Sequence, residues 1–93
     1  GGTTGLSKGA MISHRNIIAN VEQVKAWVSL ERYDYKEGEQ VIINAMPLYH
    51  AFSLVGIFMT AASQGNKQVL VANPRDFKGF AQELAKHKFT SLS

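Results

Sequence analysis

The chain has 93 residues, a formal net charge of +3, and a composition that is 45% hydrophobic and 18% charged. These values fit one small globular domain with a modest core, and they argue against disorder and, more weakly, against nucleic-acid binding. The lack of cysteine excludes disulfides and thiolate metal sites, and no apolar run approaches the roughly 20 residues of a membrane span.

Residues 1–9, GGTTGLSKG, contain four of the eight glycines, three hydroxyl side chains and one lysine. Because glycine lets backbone N–H groups converge without a Cβ in the way, this segment can form a cradle for a polyanion such as a triphosphate. A flexible leader is the alternative interpretation of the same composition. The lysine follows Ser7 rather than glycine, which excludes a Walker-type loop, and the dinucleotide fingerprint G-x-G-x-x-G is absent.

The pattern G-G-T-T-G-x-x-K-G closely resembles the phosphate-binding loop of the adenylate-forming superfamily, which includes acyl-CoA synthetases, aryl-CoA ligases, luciferases and the adenylation domains of peptide synthetases. Ser7 stands where that family usually has proline. The resemblance implies that ATP is bound by Gly1, Gly2, Thr3, Thr4, Gly5, Ser7, Lys8 and Gly9. It also implies that residues 10–12, a short apolar run, form a strand of a β-hairpin whose turn is the loop.

An amphipathic helix is predicted over residues 14–30, with Ser13 as its N-cap. Its apolar stripe consists of Ile17, Val21, Val24 and Val28, with Ile18 and Trp27 widening it. We expect this stripe to belong to the core rather than to a partner site.

Strand and helix patterns alternate in the rest of the chain. The apolar run at residues 41–46, ended by a proline, predicts a strand covered on both faces. Residues 54–62 are apolar nearly all round, which predicts a buried helix capped by Ser53. After a turn that contains Gly65, residues 69–71 predict a second buried strand.

The last predicted elements are a helix over residues 77–87, capped by Asp76, and a strand within residues 89–92. The full order β-α-β-α-β-α-β indicates an α/β fold with a parallel, doubly wound sheet. Ligands bind beyond the carboxyl ends of the strands in such sheets, so residues 47–52 should lie at the ligand edge.

Residues 46–52, MPLYHAF, contain a histidine between aromatic residues, a setting in which histidine is more often structural than functional. Its position directly after a buried strand favours a functional role, and the segment resembles the superfamily's P-x-[FYH]-H-x-[FY] motif. There the histidine lies at the acyl–adenylate junction, orients the carboxylate and gates coenzyme A entry, a catalytic role that falls on His50. The resemblance also implies that Phe52 lines the acyl pocket and that Gly56 borders the acyl chain.

Residues 1–16, 47–54 and 73–84 look most like bacterial long-chain fatty acid–CoA ligases. The resemblance implies a parent enzyme that uses ATP, Mg²⁺ and coenzyme A to activate a fatty acid, has no nucleic-acid partner, and acts in the cytoplasm or peripherally at the inner membrane. No metal ligand is evident in the chain.

The family's adenine-binding segment, ribose-binding aspartate, hinge and C-terminal lysine would lie downstream of Ser93. Residues 1–93 are therefore expected to be a fragment of the N-terminal AMP-binding domain, with the phosphate loop at 1–10. We expect this fragment to be inactive alone and to form homo-oligomers through unpaired strand edges or bare helix faces.

Three alternatives use the same residues. The parent could be another adenylate-forming ligase, specific for aryl or short-chain acids. The chain could instead be a stand-alone phosphate-binding α/β module or receiver-like regulator, although a receiver needs acidic residues at strand ends, where this chain has Asn44 and Asn73. It could also be a purely structural piece.

Overall fold

The computed structural model describes residues 5–30 and 36–93. Within these ranges a three-stranded parallel sheet has the order β2-β1-β3. The strands are β1 (Val41–Asn44), β2 (Lys67–Leu70) and β3 (Ser91–Leu92). Ile43 of the central strand lies opposite Val69 on one side and Leu92 on the other. The predicted α/β fold with a parallel sheet is confirmed.

The first helix, α1 (His14–Leu30), begins where the sequence predicted. Ser13 Oγ accepts a hydrogen bond from the Asn16 N–H at 3.2 Å, and Asn16 Oδ1 accepts one from the Ser13 N–H at 3.0 Å. This reciprocal arrangement is a capping box with asparagine in the third position. The expectation that Ile18 and Trp27 widen the buried face is wrong, because their side chains are 61% and 70% exposed.

The second helix starts as a π-helix, Phe52–Met59, and continues directly as an α-helix, Thr60–Ser63; together they form α2. The predicted helix is confirmed, but the prediction that Ser53 caps it is wrong. The Leu54 N–H already donates to the His50 carbonyl at 3.0 Å, so helical hydrogen bonding begins before Ser53. Ser53 is completely buried inside the helix.

The end of α2 confirms the predicted turn. Gly65 has a φ of +68°, which glycine adopts at no steric cost. Its N–H donates to the Ala62 carbonyl at 3.1 Å, and the Asn66 N–H donates to the Ala61 carbonyl at 3.0 Å. These two bonds form a Schellman motif, which stops the helix and directs the chain into β2.

Three predictions about the strands are wrong. Residues 10–12 form no strand, because no described strand lies beside them to accept their hydrogen bonds, and Met11 is fully exposed. The predicted strand at 41–46 already ends at Asn44. The strand predicted as buried at 69–71 begins two residues earlier, and its Leu70 is exposed. As the outer strand of the sheet, β2 has fewer neighbours around its side chains than the central strand.

The third helix, α3 (Phe77–Lys86), starts at its predicted cap: the Asp76 carboxylate accepts a hydrogen bond from the Gly79 N–H at 3.1 Å. The step from β1 to β2 and the step from β2 to β3 run in opposite directions across the sheet. Since such crossovers are right-handed, α2 and α3 belong on opposite faces, as a doubly wound sheet requires. Phe77, at the start of α3, is 81% exposed.

The core lies where α2 packs on the central strand. Ile42, Ile57 and Ala61 form its buried cluster, and Met46 packs against it. Burial of each of these isoleucines contributes about 1.5–3 kcal/mol to the free energy of folding. In the part of the chain that the structure describes, no helix combines the length and the apolarity needed to cross a membrane.

Candidate functional site

An open apolar groove of about 710 Å³ runs between α1 and α2. Its apolar walls consist of Ile17, Val24 and Val28 from α1 and Phe52, Val55 and Gly56 from α2. The stripe of α1 that was predicted to be core is therefore half-buried at these positions and lines a groove. Only Val21 of that stripe is buried.

The two residues predicted for the acyl pocket, Phe52 and Gly56, lie together on the α2 wall of this groove. A Cβ at Gly56 would lie 3.3 Å from Cδ2 of Phe52, so the phenyl ring covers the glycine directly. Any larger side chain at position 56 would displace the ring or enter the groove. Their role in acyl binding remains a prediction that these positions suit.

His50 lies in the turn that joins β1 to α2. Its N–H donates to the Pro47 carbonyl at 3.0 Å, and its side chain is exposed. The next two residues, Ala51 and Phe52, line the groove. The exposed imidazole thus directly precedes the groove lining in sequence, and the catalytic role of His50 stays a prediction.

A second cavity, of about 350 Å³, lies at the carboxyl ends of β1 and β2. It is lined by Asn44 and Pro47 near the end of β1 and by Leu70 and Val71 near the end of β2. The turn that carries His50 therefore lies at the carboxyl edge of the sheet, as predicted.

The described part of the predicted ATP-binding loop is solvent-exposed. It comprises Gly5, Ser7, Lys8 and Gly9. The other predicted loop residues, Gly1, Gly2, Thr3 and Thr4, lie outside the described residues. Gly5 has a φ of +91°, a conformation that favours glycine and turns the chain sharply.

Chain connectivity joins the loop to the groove. No hydrogen bond among the described residues links residues 5–9 to the turn at 47–52. However, Ile12 lines the groove and follows Gly9 by three residues, so their Cα atoms are at most about 11 Å apart. A phosphate group held by the loop would therefore lie near the groove.

Two polar residues of the groove were missed by the sequence analysis. Asn16 and Asn20 lie one helical turn apart and both line it. The sequence could have identified them, because Asn16 and Asn20 are four residues apart and border the apolar stripe of the helix. This spacing places both side chains on the groove side. Within residues 5–30 and 36–93, no three His, Asp or Glu side chains cluster as a metal site would require.

Comparisons with known proteins add an independent line of evidence. A family model described as "AMP-binding enzyme" matches residues 1–93. The long-chain-fatty-acid–CoA ligase of Salmonella typhimurium is 43% identical over 93 residues, which is the whole chain and 16% of the relative. The protein of the same name from Haemophilus influenzae is 41% identical over the same shares of both chains.

A more distant relative is the peroxisomal OPC-8:0-CoA ligase 1 of Arabidopsis thaliana, 32% identical over 91 residues, which is 98% of this chain and 16% of the relative. No solved structure matches the chain. The chain thus spans 16% of the length of these curated relatives.

Proposed function

Since this chain belongs to the AMP-binding enzyme family, we propose that it is part of a long-chain fatty acid–CoA ligase. In the proposed reaction a fatty acid carboxylate attacks the α-phosphate of ATP, which gives an acyl-adenylate and releases pyrophosphate. The thiol of coenzyme A then attacks the acyl carbon, forming the thioester and releasing AMP. The names of the relatives support this proposal.

The proposal rests mainly on the apolar groove between α1 and α2. Its volume of about 710 Å³ lies within the range of about 300–1,000 Å³ that is usual for small-molecule sites. The walls are mainly aliphatic and aromatic, with Asn16 and Asn20 as polar exceptions. An alkyl chain gains about 0.8 kcal/mol for each CH₂ that such a surface removes from water.

The residues that neighbour the groove lining in sequence suit the head-group chemistry. Adenylation brings a carboxylate close to a triphosphate, and the two anions repel each other. Lys8 and the glycine-rich backbone of the loop would offset that repulsion and stabilise the departing pyrophosphate. His50, which directly precedes the groove residue Ala51, would orient the carboxylate. We expect Mg²⁺ to enter bound to the triphosphate, and the described residues contain no cluster of metal ligands of their own.

The test uses the full-length parent protein with ATP, coenzyme A and a series of acids, with acyl-CoA, AMP and pyrophosphate as the measured products. We expect kcat/KM for hexadecanoate to exceed that for butanoate by about 100-fold or more, because each additional buried CH₂ contributes about 0.8 kcal/mol. A preference for benzoate or butanoate would instead establish the aryl-acid or short-chain alternative.

A substitution in the groove tests the site itself. Gly56→Leu fills the space beneath and beside Phe52, so it should lower kcat/KM for hexadecanoate about tenfold and leave that for butanoate within about twofold. Ala62→Leu is the matched control, because it adds the same side chain to an exposed position of the same helix. If Gly56→Leu leaves the hexadecanoate kinetics unchanged, the groove is not the acyl site.

A further inference from the structure

A buried set of hydrogen bonds ties the start of α2 to the end of β1. Asn44 and Ser53 are 1% and 0% exposed. Ser53 Oγ lies 3.1 Å from Asn44 Oδ1 and 3.0 Å from the carbonyl oxygen of Met46, so its single proton can be donated to either acceptor. The Met46 N–H donates to the same Asn44 Oδ1 at 3.2 Å. We call this set the Asn44–Ser53 clamp.

The clamp closes the turn that carries His50. One side-chain oxygen, Asn44 Oδ1, holds both Met46 at the beginning of the turn and Ser53 at its end. The imidazole of His50 makes no hydrogen bond to any described residue. Its position therefore depends on the backbone conformation of residues 45–52, and the clamp restrains that backbone at both ends.

Asparagine at position 44 and serine at position 53 destabilise the fold unless their buried side chains form the hydrogen bonds of the clamp. A buried hydroxyl without a partner is unfavourable, and alanine is a better helix former than serine. The Asn44 Nδ2 group has no partner among the described residues, so its oxygen makes all the described hydrogen bonds of this side chain. A leucine and an alanine would suit a purely apolar contact between strand and helix better.

We propose that Asn44 and Ser53 are positioning residues that fix the turn carrying His50. The proposal rests on the proposed function, because His50 orients the carboxylate there. Removal of the Ser53 hydroxyl leaves the Met46 carbonyl and Asn44 Oδ1 without their shared donor. The turn then samples further conformations, and His50 spends less time in the productive geometry. We expect ATP binding to change little, because the described hydrogen bonds do not connect residues 5–9 to the clamp.

A double-mutant cycle in the full-length parent protein tests the coupling. Ser53→Ala should lower kcat for acyl-CoA formation about tenfold with KM for ATP within twofold, because small misplacements of a reacting group are costly. In a His50→Ala background the same substitution should change kcat by less than about twofold. If Ser53→Ala lowers kcat by the same factor with and without His50, the proposal is refuted. Ser63→Ala, which removes an exposed hydroxyl from the same helix, is the control and should behave like the unaltered protein.

Hydrogen exchange separates this proposal from the proposed function. In Ser53→Ala, exchange of the His50 amide, whose N–H donates to the Pro47 carbonyl, should accelerate about tenfold or more while that of residues 22–28 in α1 stays unchanged. Unchanged exchange at His50 refutes the clamp whatever the activity of the enzyme. If the unaltered parent forms no acyl-CoA, the proposed function fails, and the exchange result still decides the clamp.

Asn44 provides a second pair of variants. Asn44→Asp keeps the acceptor oxygen, and its carboxyl should be protonated, since burial disfavours a charge at this position. For this variant kcat and exchange of the His50 amide should stay within about threefold of the unaltered protein, whereas Asn44→Ala should reproduce the effects of Ser53→Ala. If Ser53→Ala does not fold, this pair, made in both His50 backgrounds, decides the question. Equal effects of Asn44→Asp and Asn44→Ala would refute the role of the oxygen.

Discussion

Two buried asparagines fix the connecting segments at opposite edges of the sheet. At the amino edge, Asn66 Oδ1 accepts hydrogen bonds from the N–H groups of Gly38 and Gln40 at 3.1 and 3.3 Å. At the carboxyl edge, Asn44 Oδ1 performs the same function for the turn that carries His50. Buried polar groups stabilise a fold only when they are bonded, so each asparagine favours one backbone conformation. Only the carboxyl-edge asparagine lies next to the candidate site.

Because Lys8 is solvent-exposed, its substitution tests the phosphate loop without disturbing the core. In the parent protein, Lys8→Ala should lower kcat/KM for ATP by an amount equivalent to about 1–3 kcal/mol, the value of a hydrogen bond to a charged group. The fold should remain intact, because Lys8 is solvent-exposed. Lys78→Ala, at an exposed position of α3, is the control. Unchanged ATP kinetics in Lys8→Ala would refute the loop assignment.

The unusual element of the fold is the π-helical part of α2. Side chains satisfy two of its carbonyl groups: Thr60 Oγ1 donates to the Val55 carbonyl at 3.2 Å, and Gln68 Nε2 of β2 donates to the Phe58 carbonyl at 3.1 Å. π-Helical turns are rare and occur frequently at functional sites. Here the π-helical part contributes Phe52 and Val55 to the groove. The sheet therefore supports the same helix that forms the groove wall.

The N-terminal cap of α3 makes a measurable contribution to stability. Asp76→Ala removes the acceptor of the Gly79 N–H and should cost about 0.5–2 kcal/mol in the free energy of unfolding, measured by urea denaturation. Asp76→Asn keeps an acceptor oxygen and should change the free energy of unfolding by only about a few tenths of a kcal/mol. Equal losses in the two variants would show that charge, and not the cap bond, is the cause.

The last turn of α3 contains a pH-dependent contact. A hydrogen bond from Lys86 at 2.9 Å, with the charges of Lys86 and His87, holds the pKa of Glu83 below its ordinary value of 4.5. Because the pKa is lowered on folding, the contact stabilises the helix end above pH 4.5 and is lost as the pH falls through the folded-state pKa.

An NMR titration of the Glu83 carboxyl carbon measures this directly. The midpoint should lie below 4.5, and Lys86→Met should move it upwards. High salt should weaken the effect, since the group is solvent-exposed. A midpoint above 4.5 in the unaltered chain would contradict the assigned contact.

The described part of the chain carries more apolar surface than its core buries. Among residues 5–30 and 36–93, five hydrophobic residues are buried, whereas several large ones are more than 60% exposed. The most exposed are Leu6, Met11, Trp27, Tyr49 and Phe77. In addition, the outer edges of β2 and β3 have no neighbouring strand among the described residues. Exposed apolar patches and open strand edges both favour association with another chain.

We therefore predict that the isolated chain of residues 1–93 self-associates. Light scattering at high micromolar concentration should give a mass above that of one chain. If β2 mediates the association, Leu70→Lys should reduce it, because a charged side chain on an edge strand opposes pairing with another strand. Leu6→Lys, at an exposed position outside the sheet, should have a smaller effect. A strict monomer at that concentration would contradict the prediction.

The sequence by itself determined the features that depend on neighbouring residues. The caps at Ser13 and Asp76 and the turn at Gly65 involve bonds between residues at most five apart, so local residue types specify them. Periodicity indicated α1 and α3, and an apolar run of helical length indicated α2. The alternation of strands and helices indicated parallel strands. The motif around His50 also indicated the position of the candidate site, because the end of a strand in a parallel sheet has a defined place.

Only the tertiary structure decided the features that depend on distant partners. Residues 10–12 have strand-like composition, but a strand forms only beside another strand. Ser53 has the chemistry of a cap, yet it bonds to Asn44 across the edge of the sheet, nine residues away. Whether Ile17 lines a core or a groove depends on how closely α2 approaches α1. Periodicity identifies an apolar face, but the packing of other elements determines what covers it.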